Sequence, residues 1–134
     1  MDLWGKYNVN SIYGNSYYLL MIDDASCYIT VEFLKAKSQA AQKIKDYIMY
    51  LIARNKVPLA ICIDRGTEFM NKDLQSWGYS HEIIFQLIAS YSPLQNSVAK
   101  QMNCTLVKLV CAMLTASKLP KYLWEPAVAH ATYV

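Results

Sequence analysis

The hydrophobic pattern marks out alternating strands and helices. Tyr17 to Ile22 is an unbroken apolar run ending at Asp23-Asp24, the pattern of a buried central strand and a turn. Tyr28 to Leu34 alternates, carries β-branched residues and reads as its hairpin partner. Leu3 to Tyr7 is a first strand, cut short by the start of the chain. Ser38 is a candidate N-cap for a helix whose apolar positions Ile44, Tyr47, Ile48, Leu51 and Ile52 keep helical spacing through Arg54. Pro58 to Asp64 is a short strand closed by the turn signal Arg65-Gly66, and Ile83 to Ile88 is a fifth. A helix is expected between these two. Pro93 opens a long helix whose buried face is read as Val98, Met102, Leu106, Leu109 and Met113. A last helix runs from Lys121 into Tyr133.

Three antiparallel-type strands followed by α/β crossovers predict an α/β fold, a mixed five-stranded sheet flanked by helices. No repeat or linker interrupts the pattern, so residues 1–134 read as one domain, slightly truncated at the N-terminus. Hydrophobic residues make up 54% and charged ones 17%, which excludes a disordered chain. No apolar run approaches the roughly 20 residues that span a bilayer, and Met1 to Gly5 has no secretory character. A net charge of +3 is too weak to argue for nucleic acid by itself. Cys27, Cys62, Cys104 and Cys111 form no C-x-x-C pair, and His81 and His130 stand at no zinc-like offset. They read as reduced thiols of an intracellular protein.

Two acids carry candidate chemistry. Asp2 lies at the start of the first strand, and Asp64 ends the fourth just before a glycine turn. Neighbouring strands would bring both carboxylates to one place, where a hard cation such as Mg²⁺ or Mn²⁺ relieves their repulsion. Two such ions can drive phosphoryl transfer. On spacing alone a plainer reading stays open, with Asp64 a turn residue and Asp2 a solvated terminus.

Longer blocks bear on that choice. Asp2-Leu3-Trp4-Gly5, the run from Tyr17 to Ser26, Phe33-Leu34-Lys35, Asp64-Arg65-Gly66-Thr67-Glu68-Phe69 and Ser92-Pro93-Leu94-Gln95-Asn96 follow in order. Met102-Asn103-Cys104-Thr105-Leu106 and Leu119-Pro120-Lys121-Tyr122-Leu123-Trp124 complete the series. Together they resemble the catalytic core of copia-type (Ty1/copia) retrotransposon integrases. The resemblance implies a ribonuclease-H-like fold and a D,D-35-E triad working with Mg²⁺ or Mn²⁺ in DNA integration. Asp2 and Asp64 match its first two acids, as catalytic and metal-binding groups. The third should lie where this chain has Gln95-Asn96-Ser97-Val98-Ala99-Lys100-Gln101, and 35 residues separate Asp64 from Lys100. Lys100 therefore stands in the slot of the catalytic glutamate. Glu68 belongs to another block, and Glu125 lies in the last helix.

An ammonium at that slot repels metal where a carboxylate would bind it, so impaired metal binding and lost activity are expected. The resemblance further implies a nuclear location, a two-fold homodimer with Tyr47, Tyr50, Trp124 and Tyr133 supplying aromatic surface, and no membrane association. Asn96, Lys100, Asn103 and Lys108 are the candidate nucleic-acid contacts, for weak, non-specific DNA binding. All four cysteines and Gln101 fall where the resemblance has arginine. Arginine codons become Cys or Gln, and glutamate codons Lys, by single C-to-T or G-to-A changes, which suggests a copy damaged by cytosine deamination. Ordinary drift in an AT-rich genome is the alternative, and intact related copies carrying cysteine at these positions would exclude the damage. Two other functions stay open, a domesticated binding or dimerisation module and an active enzyme with a displaced acid. With no HHCC segment and no basic tail, the chain resembles only the central domain of a longer polyprotein product.

Overall fold

The computed structural model describes residues 1–64, 71–88 and 97–133, with the backbone alone at Asp64 and Ile88. Five strands and four helices follow in the order β1 (Asp2–Gly5), β2 (Tyr17–Ile22), β3 (Ile29–Leu34), α1 (Ala40–Ile52), β4 (Ala60–Asp64), α2 (Lys72–Ser80), β5 (Ile84–Ile88), α3 (Ser97–Ala116) and α4 (Trp124–Tyr133). Short 3₁₀ turns, Lys37–Gln39 and Lys121–Leu123, lead into α1 and α4. The expected N-cap at Ser38 therefore falls inside a 3₁₀ turn. Gln39 does the capping instead, its side chain accepting from the Lys35 and Ala36 amides at 2.9 and 3.3 Å.

The fold is the α/β, ribonuclease-H-like one expected. Its ladders fall in two groups, an antiparallel β1-β2-β3 set and a parallel β4-β5 pair. The Met1 amino group joins them by donating to Cys62 O at 2.8 Å.

The apolar run of β2 is explained by burial on both faces. Leu19 and Met21 pack with Ile44 and Ile48 of α1, while Tyr18 and Leu20 pack with Leu106 and Val110 of α3 and Trp124 of α4. Gly5 must be glycine, because its φ is +122° and a Cβ there would lie 2.7 Å from Ser16 O. The loop between β1 and β2 is fastened to α4. Ser11 Oγ and Asn15 Nδ2 donate to Glu125 Oε2 at 2.5 and 2.9 Å, and Trp124 Nε1 donates to Val9 O at 3.0 Å.

Two sequence expectations are corrected here. The buried face of α3 is Ala99, Asn103, Leu106, Val110 and Leu114, while Val98 is 59% and Leu109 46% exposed. A small residue and a polar one occupy inward positions, so hydropathy alone places the stripe one residue off. Trp124 is not surface. It is 1% exposed and ringed by Trp4, Tyr7, Tyr18 and Phe33 at centroid distances of 5.5 to 6.4 Å.

Candidate active site

Asp2 stands directly opposite Leu20 in the β1–β2 ladder, so it shares the sheet face that α3 covers. There its Oδ2 accepts a 2.6 Å hydrogen bond from Nδ2 of Asn103. Asn103 is only 5% exposed. Expected at the nucleic acid, this amide instead turns inward and holds the first carboxylate. Its Oδ1 has no hydrogen-bond partner among the described residues, nor has the hydroxyl of Tyr18, which is fully buried. Burial pushes the Tyr18 phenol well above the ordinary tyrosine range, and the charge of Asp2 adds to the rise, with a smaller contribution from Cys104. Sequence reading missed Tyr18 because it sits inside an apolar strand run.

The second acid lies on the neighbouring strand. Met1 bonds Cys62, and one residue further along β1 and two along β4 stand Asp2 and Asp64. The backbones thus bring both positions to one level of the sheet, about one strand spacing apart. Burial pushes the Met1 amine below its ordinary value, against the raising influence of Cys62, Asp2 and Asp24.

Lys100 lies on α3 one turn before Asn103, at the i,i+3 separation where side chains are neighbours on a helix. It is exposed. The side chain of Asp64, and with it Asn96 and the block from Arg65 to Phe69, lies outside the described residues. Lys108, Cys104 and Cys111 share the exposed side of α3 with Lys100. Cys62 is half-buried, with Sγ 3.2 Å from Gln86 Oε1, and Cys27 is exposed in the β2–β3 turn.

A mixed α/β arrangement with two acidic positions on neighbouring strands and a long helix packed over the first is the ribonuclease-H-like fold. Residues 1–93 match the Integrase core domain family, and the chain belongs to it. It is 33% identical over 134 residues to a Retrovirus-related Pol polyprotein from transposon TNT 1-94 of Nicotiana tabacum. That match covers 99% of this chain and 10% of the tobacco protein, so the chain spans about a tenth of that relative's length. The copia-type resemblance accords with it. Among solved structures, the HTLV-2 integrase catalytic core domain in complex with magnesium, in a trimeric form, superposes with a TM-score of 0.64 at 19% identity, covering 98% of this chain and 79% of that one. The simian T-cell lymphotropic virus intasome in complex with PP2A regulatory subunit B56 gamma superposes at 0.67 with 18% identity over 87% of this chain and 41% of its counterpart. At these identities the two show the fold.

The HTLV-2 core of this fold holds magnesium, and of the candidate residues described here Asp2 has the donor set to ligate a divalent metal while Lys100 has not. A carboxylate such as Asp2 offers oxygen lone pairs, whereas the Lys100 ammonium has three donors and no acceptor.

Proposed function

We propose that this chain is an integrase catalytic core, built for DNA integration by two-metal polynucleotidyl transfer, whose chemistry is disabled because Lys100 replaces the third acid. The observation that carries the reading is Asn103. It ties α3 to Asp2, and Lys100, the residue at the slot of the third acid, lies one turn earlier on the same helix. Asp2 and Asp64 keep the places of catalytic acids, with metal binding impaired. No step through the metal pair is open to the chain in this form.

Contact with nucleic acid is assigned to the exposed side of α3, through Lys100 and Lys108, with Asn96 outside the described residues. Phosphate contact of this kind is weak, salt-sensitive and indifferent to sequence. Asn103 serves that face only indirectly, by fixing Asp2. The site of action by this reading is the nucleus. Among the described residues no helix is long and apolar enough to cross a membrane.

Incubating the purified chain with a short labelled duplex in Mn²⁺ tests the proposal. We expect no nicking above the metal-only control at any salt concentration. Metal-dependent product would sink it in favour of an active enzyme with a displaced acid.

Pairing of two copies completes the reading. Tyr47 and Tyr50 stack on α1 at 6.4 Å, Arg54 lies 4.3 Å over the Tyr50 ring, and Tyr133 is almost wholly exposed at the end of α4. These aromatics suit an isologous interface. Light scattering at high protein concentration should report a dimer, and a persistent monomer would remove that part.

A further inference from the structure

Charge divides the molecule between the two faces of its sheet. Residues 3–22 and 97–133, which supply β2, the β1–β2 loop, α3 and α4, hold a single acid, Glu125. Glu125 is 8% exposed and its Oε2 is taken by Ser11 and Asn15, so little negative charge reaches solvent. The same stretches expose Lys6, Lys100, Lys108, Lys118 and Lys121. The α1 side is mixed by contrast, with Asp23, Glu32 and Asp46 beside Lys43, Arg54 and Lys56.

The lysines of α3 lie on one strip. Lys100, Cys104, Lys108 and Cys111 are exposed and follow at the i,i+4 and i,i+3 spacings that keep side chains on one helix face. From Lys100 the strip runs about 24 Å to the end of α3. There it meets an aromatic surface. Leu119 N donates to Leu114 O at 3.0 Å and closes the helix, with Lys118 in the left-handed region at φ +53°. Ile12 N donates to Tyr122 O at 2.9 Å, which sets the β1–β2 loop against the turn entering α4. The loop backbone is fixed, because Ser11 Oγ accepts from the Tyr13 and Asn15 amides at 3.2 and 3.0 Å. Its side chains are not covered. Tyr13, Ile12, Leu119 and Tyr122 are 65%, 56%, 49% and 46% exposed. Lys35 reaches the same surface, its Cε 3.9 Å from where a Cβ on Gly14 would lie. Rigid apolar surface left open in this way marks an interaction site.

We propose that the surface of Ile12, Tyr13, Leu119 and Tyr122, rimmed by Lys35, Lys118 and Lys121, binds single-stranded nucleic acid whose backbone continues along the Lys100–Lys108 strip. Ammonium groups meet phosphates, and tyrosine rings stack on bases whose faces are free only when unpaired. The choice of ligand rests on the assignment of nucleic acid to α3, to which this surface adds a subsite selecting unpaired bases. Among the described residues no exposed acid of these stretches opposes a polyanion. Continuity with a strip of about 24 Å favours a strand of several nucleotides over a short acidic peptide.

Fluorescence anisotropy of the full chain with a labelled oligothymidylate of about 12 nucleotides tests the proposal. Tyr13→Ala and Tyr122→Ala should each weaken binding about fivefold or more, with the salt dependence unchanged, and Tyr13→Trp should retain it. Replacing Lys118 and Lys121 together by Gln should weaken binding and flatten the salt slope. Both tyrosines are exposed, so the alanine variants should melt like the parent. Parental affinity in both alanine variants overturns the platform. A labelled duplex of the same length separates it from the α3 assignment, because Lys108→Gln should weaken duplex binding and the tyrosine variants should not. If Lys108→Gln changes neither probe, the α3 assignment fails. If the tyrosine variants change neither, the platform alone fails. Tighter binding of an acidic, tyrosine-containing peptide than of the oligonucleotide at equal salt overturns the proposal in favour of a protein partner.

Discussion

The Lys100→Glu variant should bind Mn²⁺ about tenfold or more tightly than the unmodified chain. The substitution exchanges a full positive charge for a negative one, one helical turn from the Asn103 that holds Asp2. At about 4 Å and an effective dielectric near 20, each unit-charge interaction is worth about 4 kcal/mol. Lys100 is exposed, so solvent screening removes much of this. About 1.4 kcal/mol suffices for a factor of ten, which leaves the prediction well inside the available range. Lys100→Gln separates the two components, because it removes repulsion without supplying a carboxylate, and should give an intermediate gain. Calorimetry or Mn²⁺ paramagnetic resonance reads the affinity. If the unmodified chain binds two Mn²⁺ as tightly as the glutamate variant, the electrostatic argument fails. Restored cleavage is not required, since Gln101, Cys104 and Cys111 also depart from the resembled pattern.

The largest loss of stability is expected for Trp124→Ala. Its ring is buried against Trp4, Tyr7, Tyr18 and Phe33, and its Nε1 holds the β1–β2 loop through Val9 O. Emptying such a site costs about 3–5 kcal/mol, and lost aromatic pairing and the orphaned carbonyl add to it. Against a total stability of about 5–15 kcal/mol, the variant should be marginally folded at 37 °C. Leu109→Ala is the control. Leu109 is half exposed on α3, so its loss should change stability by about 0.5 kcal/mol or less. Thermal and urea unfolding followed by circular dichroism read both. A Trp124→Ala variant within about 1 kcal/mol of the parent would show that this cluster is not the core.

Much of the architecture was legible in the chain, because strands and helices announce themselves by local periodicity. The Tyr17–Ile22 strand is found with the same ends, and β3, α1, β4 and β5 lie within two residues of their expected limits. The first two acids and Lys100 were legible through motif spacing, which depends on sequence order alone. Facing was not. Which side of α3 turns inward depends on what it docks against, and Asn103 finds its partner Asp2 across 101 positions of sequence. A polar residue reads as outward until that partner is in place.

Trp124 and Glu125 illustrate the same limit. A tryptophan near a helix start looks like interface and a glutamate like surface, until the β1–β2 loop folds over α4 and supplies Val9, Ser11 and Asn15. By itself the sequence determined which elements form, their order and the identity of the residues at the acidic positions, since each follows from neighbours a few residues away. Only the tertiary structure decided the inward face of α3 and the grip of Asn103 on Asp2. Those depend on backbone and side-chain groups that meet only when distant segments are brought within hydrogen-bonding reach.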